Sequence, residues 1–356
     1  MSEDLMIQSH AGPYRVSFHN GVPCGSLDLA DGKSHVLIDA EIARLYATQL
    51  RSILAQDNTV VIEATEHSKS LRQLIPVFER LVRDKVRRDH LLVAIGGGVI
   101  QDITCFVAST MLRGLPWCFL PTTLLAQADS CIGSKSSINL ADTKNVLGTF
   151  CPPQQVRIYT GFLDTLQERD LCSGIGEILK VHAIEGITAF DSLAADFDSL
   201  LADRPTLLRY IHAALSIKQR YVEADEFDRG VRNIFNYGHS FGHAIESATH
   251  FAVPHGVAVT MGMDMANYIS VKRDLLPETH YRRMHPVLRR NYAAFAATAI
   301  PFDALLTALM KDKKNTGGAL RLIFPVGPNA EIRVVSVLAD ALFRSQAEDS
   351  LGALVE

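Results

Sequence analysis

"DHLLVAIGGGVIQDITCFVASTML", residues 89–112, passes from an unbroken apolar run through three glycines into a segment with helical spacing. A strand that is apolar at every position is suited to burial on both faces, and a strand feeding a helix through a tight glycine turn is a unit of a parallel α/β sheet. The neighbouring segments agree. "SHVLIDA" (34–40), "NTVVIEA" (58–64) and "PWCFLPTT" (116–123) read as further strands. "AEIARLYATQLRSIL" (40–54) and "SKSLRQLIPVFERLVRDK" (68–85) repeat apolar residues every three or four positions, as helices do. In such a sheet a ligand is expected in the crevice at the strand ends.

From about residue 165 the pattern becomes helical almost throughout, and only "ALRLIFPVG" (319–327) and "EIRVVSV" (331–337) read as a terminal hairpin, packed on the sheet or on the helices. The expected division is therefore 1–164, α/β, and 165–356, mainly α-helical. The chain has 356 residues, 47% hydrophobic, enough for about two domains without covalent staples. Its net charge of −4 gives no support to a nucleic-acid or anionic-membrane partner. Cysteines 24, 105, 118, 131, 151 and 172 form no CxxC pair and read as reduced core residues of a cytoplasmic protein. The N-terminus has no signal-peptide pattern, and no apolar run is long enough to span a membrane.

Several clusters carry chemistry. Gly96, Gly97 and Gly98 let backbone N–H groups close on a pyrophosphate, although three glycines also describe a simple tight turn. Asp102 either faces a cofactor from the first helical turn or favours the helix dipole. The stretch 121–145 is dense in groups that bind anions and hydroxyls: Thr122, Thr123, Asp129, Lys135, Lys144 and Asn145. In "GIGEILK" (174–180), Glu177 and Lys180 share a helix face among apolar residues, and buried charge of that kind requires a partner or a metal. Lys218, Arg232, Asn236, His239, His243 and His255 then follow within a short span. His239 and His243 are four apart, one above the other on a helix, so spacing alone makes them a ligand pair. A glutamate with two or three histidines suits a zinc ion that keeps one position open.

Taken in order, "GGGVIQD", "MLRG", "PTTLLAQADSCIGSK", "INLADTKN", "GIGEILK", "RNIFNYGHSFGHAIE", "PHG" and "DKK" resemble the motifs of the 3-dehydroquinate synthase family of sugar phosphate cyclases, over residues 36–336. The resemblance implies a Rossmann-like NAD-binding domain, a helical metal- and substrate-binding domain, an active site in the cleft and a homodimer. It implies NAD and Zn2+ or Co2+ as cofactors. The implied substrate is 3-deoxy-D-arabino-heptulosonate 7-phosphate. It would be oxidised at C5, lose phosphate by β-elimination, be reduced again and close to 3-dehydroquinate by an intramolecular aldol reaction.

By motif position, the resemblance makes Glu177, His239 and His255 the metal ligands, which separates His239 from His243. Asp129 and Lys180 would hold substrate hydroxyls, and Lys218 and Arg232 the carboxylate. Lys135, Asn145, Asn236, His243 and Lys313 or Lys314 would hold the phosphate, with Arg113 reaching in from a second subunit. NAD would meet Asp39, Glu66, Lys69, Gly96, Gly97, Gly98, Asp102, Thr122, Thr123, Lys144 and Thr165. The chain departs from the family at "GSKSS" (133–137), where Ser134 and Ser137 stand at expected glycines. A serine there narrows the phosphate pocket, adds a hydrogen bond, or is strained if the backbone needs positive φ. Alternatives are a related cyclase acting on sedoheptulose 7-phosphate, glucose 6-phosphate or an amino sugar acid, and a metal-dependent polyol dehydrogenase.

Overall fold

The structure is a computed structural model that describes residues 3–23, 33–141, 143–311 and 319–355. The chain forms two compact units, Met1–Gln167 with Lys218–Asp228, and Glu168–Ile217 with Arg229–Glu356.

Among the described residues the first unit holds nine strands: β1 (Leu5–Ile7), β2 (Tyr14–His19), β3 (Ser34–Asp39), β4 (Thr59–Ile62), β5 (Leu91–Gly96), β6 (Trp117–Pro121), β7 (Lys135–Leu140), β8 (Thr143–Phe150) and β9 (Gln155–Tyr159). Seven of them make one sheet in the order β1-β2-β9-β6-β5-β3-β4, parallel except for the β1/β2 pair. β6 is buried along its whole length and β5 along all but its first residue, which is why both read as continuous apolar runs. β3 pairs with β4 on one side and β5 on the other, so the chain reverses its direction of travel across the sheet between them. The carboxyl ends at that reversal are Asp39 and Gly96, which is where an open parallel sheet binds ligands.

Helices α1 (Ala40–Leu45), α2 (Arg51–Leu54), α3 (Leu71–Arg83) and α4 (Gly98–Thr110) connect these strands. The expected helix over 40–54 is broken between α1 and α2, where Tyr46 and Leu50 turn into the core beside Ile38, Ile95 and Phe162. The stretch 121–145 holds more structure than its sequence pattern gives: a π-helical turn at Ala126–Ser130 and the antiparallel β7–β8 hairpin. That hairpin lies outside the main sheet and β8 is largely exposed, so no buried face imposes a two-residue period on it.

The second unit contains α5 (Glu168–Glu185), α6 (Ile187–Ala195), α7 (Phe197–Ala202), most of α8 (Arg204–Ala224), α9 (His239–Ala248), α10 (His255–Lys272), α11 (Glu278–Tyr292), α12 (Phe302–Met310) and α13 (Ala341–Val355). The terminal hairpin, β10 (Ala319–Val326) with β11 (Glu331–Leu338), is a separate sheet that packs on α10. Almost all of α10 is buried, with α5, α9, α11 and α13 around it. Among the described residues no helix is long and apolar enough to cross a membrane. Cys105, Cys118 and Cys131 are buried, as expected, and burial pushes the thiols of Cys118 and Cys131 up to about 12. Cys151 and Cys172 are only half-buried, and Cys24 lies outside the described residues.

Candidate functional site

Three elements of the second unit deliver Glu177, His239 and His255, and each of these residues has a glycine beside it in the chain. The reason is close helix approach. A Cβ on Gly176 of α5 would lie 2.0 Å from the Gly256 carbonyl oxygen, and one on Gly256 of α10 would lie 1.8 Å from the Ser173 carbonyl oxygen. Gly238, at φ +77, turns the chain into α9 against Val259. Backbone contact at these points holds Glu177 of α5 against the first residues of α9 and α10. Gly256→Ala is therefore expected to push α5 and α10 apart and cost about 1–3 kcal/mol or more. Thermal unfolding checks this: an unchanged midpoint would show that the helices are free to separate.

His239 Nε2 and His255 Nε2 lie 3.7 and 3.5 Å from Glu177 Oε1. Those distances are long for hydrogen bonds but suit two ligands of one tetrahedral metal, for which bonds near 2.1 Å give about 3.4 Å between donor atoms. Glu177 is 1% exposed, and among the described residues its carboxylate has the Lys180 ammonium as an ion-pair partner but no hydrogen bond of regular geometry. Both imidazoles are oriented through Nδ1, which donates to the Tyr237 carbonyl at 3.3 Å in His239 and to Glu246 Oε2 at 3.1 Å in His255. This leaves both Nε2 atoms directed to the Glu177 side, the arrangement a metal-bound histidine needs. The donor set therefore fits a zinc-type ion.

Charge on the cluster is finely opposed. Burial, and then the Lys180 ammonium, keep His239 well below the ordinary histidine range, so its imidazole is neutral, the form that binds a metal. Burial would raise Glu177, but Lys180 and the two imidazoles hold it well below the usual carboxylate range. Burial would lower His255, but Glu177 and Glu246 push it up to about 10, so a metal arriving there displaces a proton.

Lys180 is 2% exposed, forms an ion pair with Glu177 Oε2 and sits over the Phe235 ring. Arg232 is buried and shares the 3-10 turn Val231–Asn236 with Asn236, whose Nδ2 donates to the Asn233 carbonyl. His243 is exposed, but its ligand nitrogen lies within 4.8 Å of those of His239 and His255. Distance alone therefore leaves it a possible ligand. Glu246, one turn beyond His243 on α9, was not singled out in the sequence, although helical spacing points to it.

In the first unit, α4 begins at Gly98 with Gly97 as its cap, and among the described residues no side-chain cap hydrogen bond closes it. A Cβ on Gly96 would strike Ile100 at 2.5 Å, and one on Gly97 would lie 3.0 Å from Thr123. One on Gly98 would meet nothing within 4 Å. An uncapped helix start with open space beside Gly98 fits the pyrophosphate of NAD. Thr122 Oγ1 is buried without a hydrogen-bond partner among the described residues, and Thr123 Oγ1 accepts from the Ala126 amide at 3.2 Å. Asp102 does not project freely: Lys69 Nζ lies 2.9 Å from its Oδ2, and the Ser137 amide donates to its Oδ1 at 3.0 Å. Glu66 accepts from Asn139, Asp39 caps α1, and Thr165 meets the Tyr46 hydroxyl. Lys144 is exposed on β8.

Lys218 donates to the Asp129 carbonyl at 2.6 Å and lies 2.8 Å from Asp129 Oδ1, so two expected substrate groups already pair with each other. Lys135 pairs with Asp228, a residue distant in sequence that spacing does not single out. Arg113 is exposed just after α4, at φ +67. Lys313 and Lys314 lie outside the described residues. Ser134 and Ser137 are not among the positive-φ positions. The φ of +112 falls on Gly133, so the strain anticipated at the serines is absent.

The family described as 3-dehydroquinate synthase N-terminal matches residues 59–173, and the one described as 3-dehydroquinate synthase C-terminal matches residues 174–315. A 3-dehydroquinate synthase of Acidithiobacillus ferrooxidans is 38% identical over 301 residues, 83% of each chain. Among solved structures, 2-epi-5-epi-valiolone synthase of Streptomyces hygroscopicus subsp. jinggangensis, with NAD+ and Zn2+ bound, matches with a TM-score of 0.82 at 28% identity over 96% of each chain. A 2-deoxy-scyllo-inosose synthase, complexed with carbaglucose-6-phosphate, NAD+ and Co2+, matches at 0.81 and 23% identity, covering 98% of this chain and 100% of that one.

Proposed function

The chain belongs to the 3-dehydroquinate synthase family, and from that premise we propose that it converts 3-deoxy-D-arabino-heptulosonate 7-phosphate to 3-dehydroquinate and phosphate. It is an NAD- and divalent-metal-dependent lyase. When bound, NAD supplies reversible hydride transfer and the metal a Lewis acid on substrate hydroxyls. Glu177, His239 and His255 hold the metal, with Glu246 setting the tautomer of His255. Lys180 and Asp129 orient hydroxyls. Lys218 and Arg232 take the carboxylate, to which arginine offers two parallel hydrogen bonds. Lys135, Asn145, Asn236 and His243 take the phosphate, and Arg113 and Lys313 or Lys314 are assigned there by motif position. The expected setting is a cytoplasmic homodimer.

One observation carries the choice of a sugar acid over a neutral sugar. Lys218 and Arg232, which motif position assigns to the carboxylate, are both withdrawn from solvent, at 6% and 8% exposure, a setting in which a cation attracts a carboxylate more strongly than it does in water. Phosphate release with heptulosonate 7-phosphate, sedoheptulose 7-phosphate and glucose 6-phosphate, compared side by side with product identification, tests the proposal. The expected result is turnover of the heptulosonate phosphate without net NADH. Faster release from either neutral sugar would make the chain a related cyclase, and steady NADH accumulation would make it a dehydrogenase.

A further inference from the structure

We propose that Ser137 is a positioning residue that locks the Asn145 carboxamide with its amino end presented to the substrate's phosphate, an inference that rests on reading Asn145 as part of the phosphate end. Ser137 Oγ donates to Asn145 Oδ1 at 2.8 Å. The Asn145 backbone is tethered separately, its amide donating to Asn139 Oδ1 at 2.9 Å, and it takes a left-handed φ of +51 that asparagine tolerates. This residue lies where the β7–β8 ladder is irregular, between the Ile138↔Leu147 and Leu140↔Thr143 pairs. Asn139 is itself held, its Nδ2 donating to Glu66 Oε1 at 2.8 Å. Ser137 is held by its own amide, which donates to Asp102 on α4. Both tethers of Asn145 thus end on residues fixed by further bonds, and one of them runs to the helix whose start fits the pyrophosphate of NAD.

The chemistry turns on the two ends of a carboxamide. They are almost equal in shape, but one only accepts hydrogen bonds and the other only donates. A phosphate dianion accepts only, so an Asn145 turned the wrong way presents a repelling oxygen. With its oxygen engaged by the Ser137 hydroxyl, the amide leaves its nitrogen as the donor, and that nitrogen has no partner among the described residues. Glycine at position 137 would remove this selection. The serine that departs from the family pattern therefore adds an orienting hydrogen bond without backbone strain.

The test uses the NAD- and zinc-loaded protein and two readouts: calorimetric titration with inorganic phosphate, and KM and kcat with heptulosonate 7-phosphate. Loss of one orienting hydrogen bond in Ser137→Ala or Ser137→Gly should weaken phosphate binding and raise KM in parallel, by about five-fold, with kcat nearly unchanged. Ser137→Thr, which keeps a hydroxyl, should restore both. Because Ser137 acts through Asn145, Ser137→Ala should add nothing to Asn145→Ala. Additive losses, or phosphate affinity indifferent to Ser137→Ala or to Asn145→Ala, would overturn the proposal. The phosphate titration needs no turnover. A wild-type protein inactive on the heptulosonate phosphate would thus overturn the substrate reading while the titration still decides the role of Ser137.

Discussion

His239→Ala is expected to strip the metal from the protein and lower phosphate release about a thousand-fold or more, because the Lewis acid contributes several kcal/mol to the reaction. His243→Ala is expected to keep one metal per chain and lose about ten- to a hundred-fold in kcat/KM, the effect of one hydrogen bond to a charged group. Geometry alone does not separate the two, since the ligand nitrogens of His239, His243 and His255 all lie within 4.8 Å of one another. Charge does. A divalent ion withdrawn from water needs an anion, and the buried Glu177 carboxylate stands 3.7 and 3.5 Å from His239 and His255. Elemental analysis of dialysed protein, alongside phosphate release, reads both outcomes. Metal loss in both variants would make His243 a ligand after all, and metal retained in His239→Ala would move the centre elsewhere. Chelation of the wild type should reproduce the His239→Ala defect, and activity that survived complete metal removal would rule out the metal's role.

Much of this was legible because the physics that builds the site leaves local marks. A strand buried on both faces must be apolar throughout, so β5 and β6 declared themselves, and the glycines after β5 marked the close approach needed at the start of α4. Glycines beside Glu177, His239 and His255 mark backbone crossings in the same way. What remained hidden has no such mark. The β7–β8 hairpin is largely solvated and imposes no period. Asp228, which pairs with Lys135 from 93 residues away, is fixed by tertiary placement alone. Ser134 and Ser137 suggested strain only because a glycine in a family pattern is usually taken to mean positive φ. Here the positive φ belongs to Gly133, and Ser137 spends its hydroxyl on Asn145.

Lys180→Met is expected to separate two quantities that usually fall together, tightening metal binding while abolishing most activity. Lys180 and Glu177 are 2% and 1% exposed and form an ion pair. In the metal-free protein the lysine is the principal compensation for the buried carboxylate, and removing one member of such a pair costs about 3–5 kcal/mol. At about 2–4 °C per kcal/mol, the unfolding midpoint of the metal-free variant should fall by about 10 °C. With the metal in place, Glu177 keeps a cation, so the loss should be much smaller. The thermodynamic cycle then fixes the sign: whatever destabilises the metal-free state more than the loaded one raises metal affinity, here by about ten-fold or more, since an ammonium that repels the incoming ion has also gone. Catalysis should nevertheless drop by about a hundred-fold, because the group proposed to orient a substrate hydroxyl beside the metal is lost. Midpoints measured with and without zinc, a zinc-affinity titration and phosphate release decide the matter together. Equal destabilisation of both forms would mean that Lys180 serves only packing, and weakened zinc binding would mean that it supports the metal site and does not compete with the ion for Glu177.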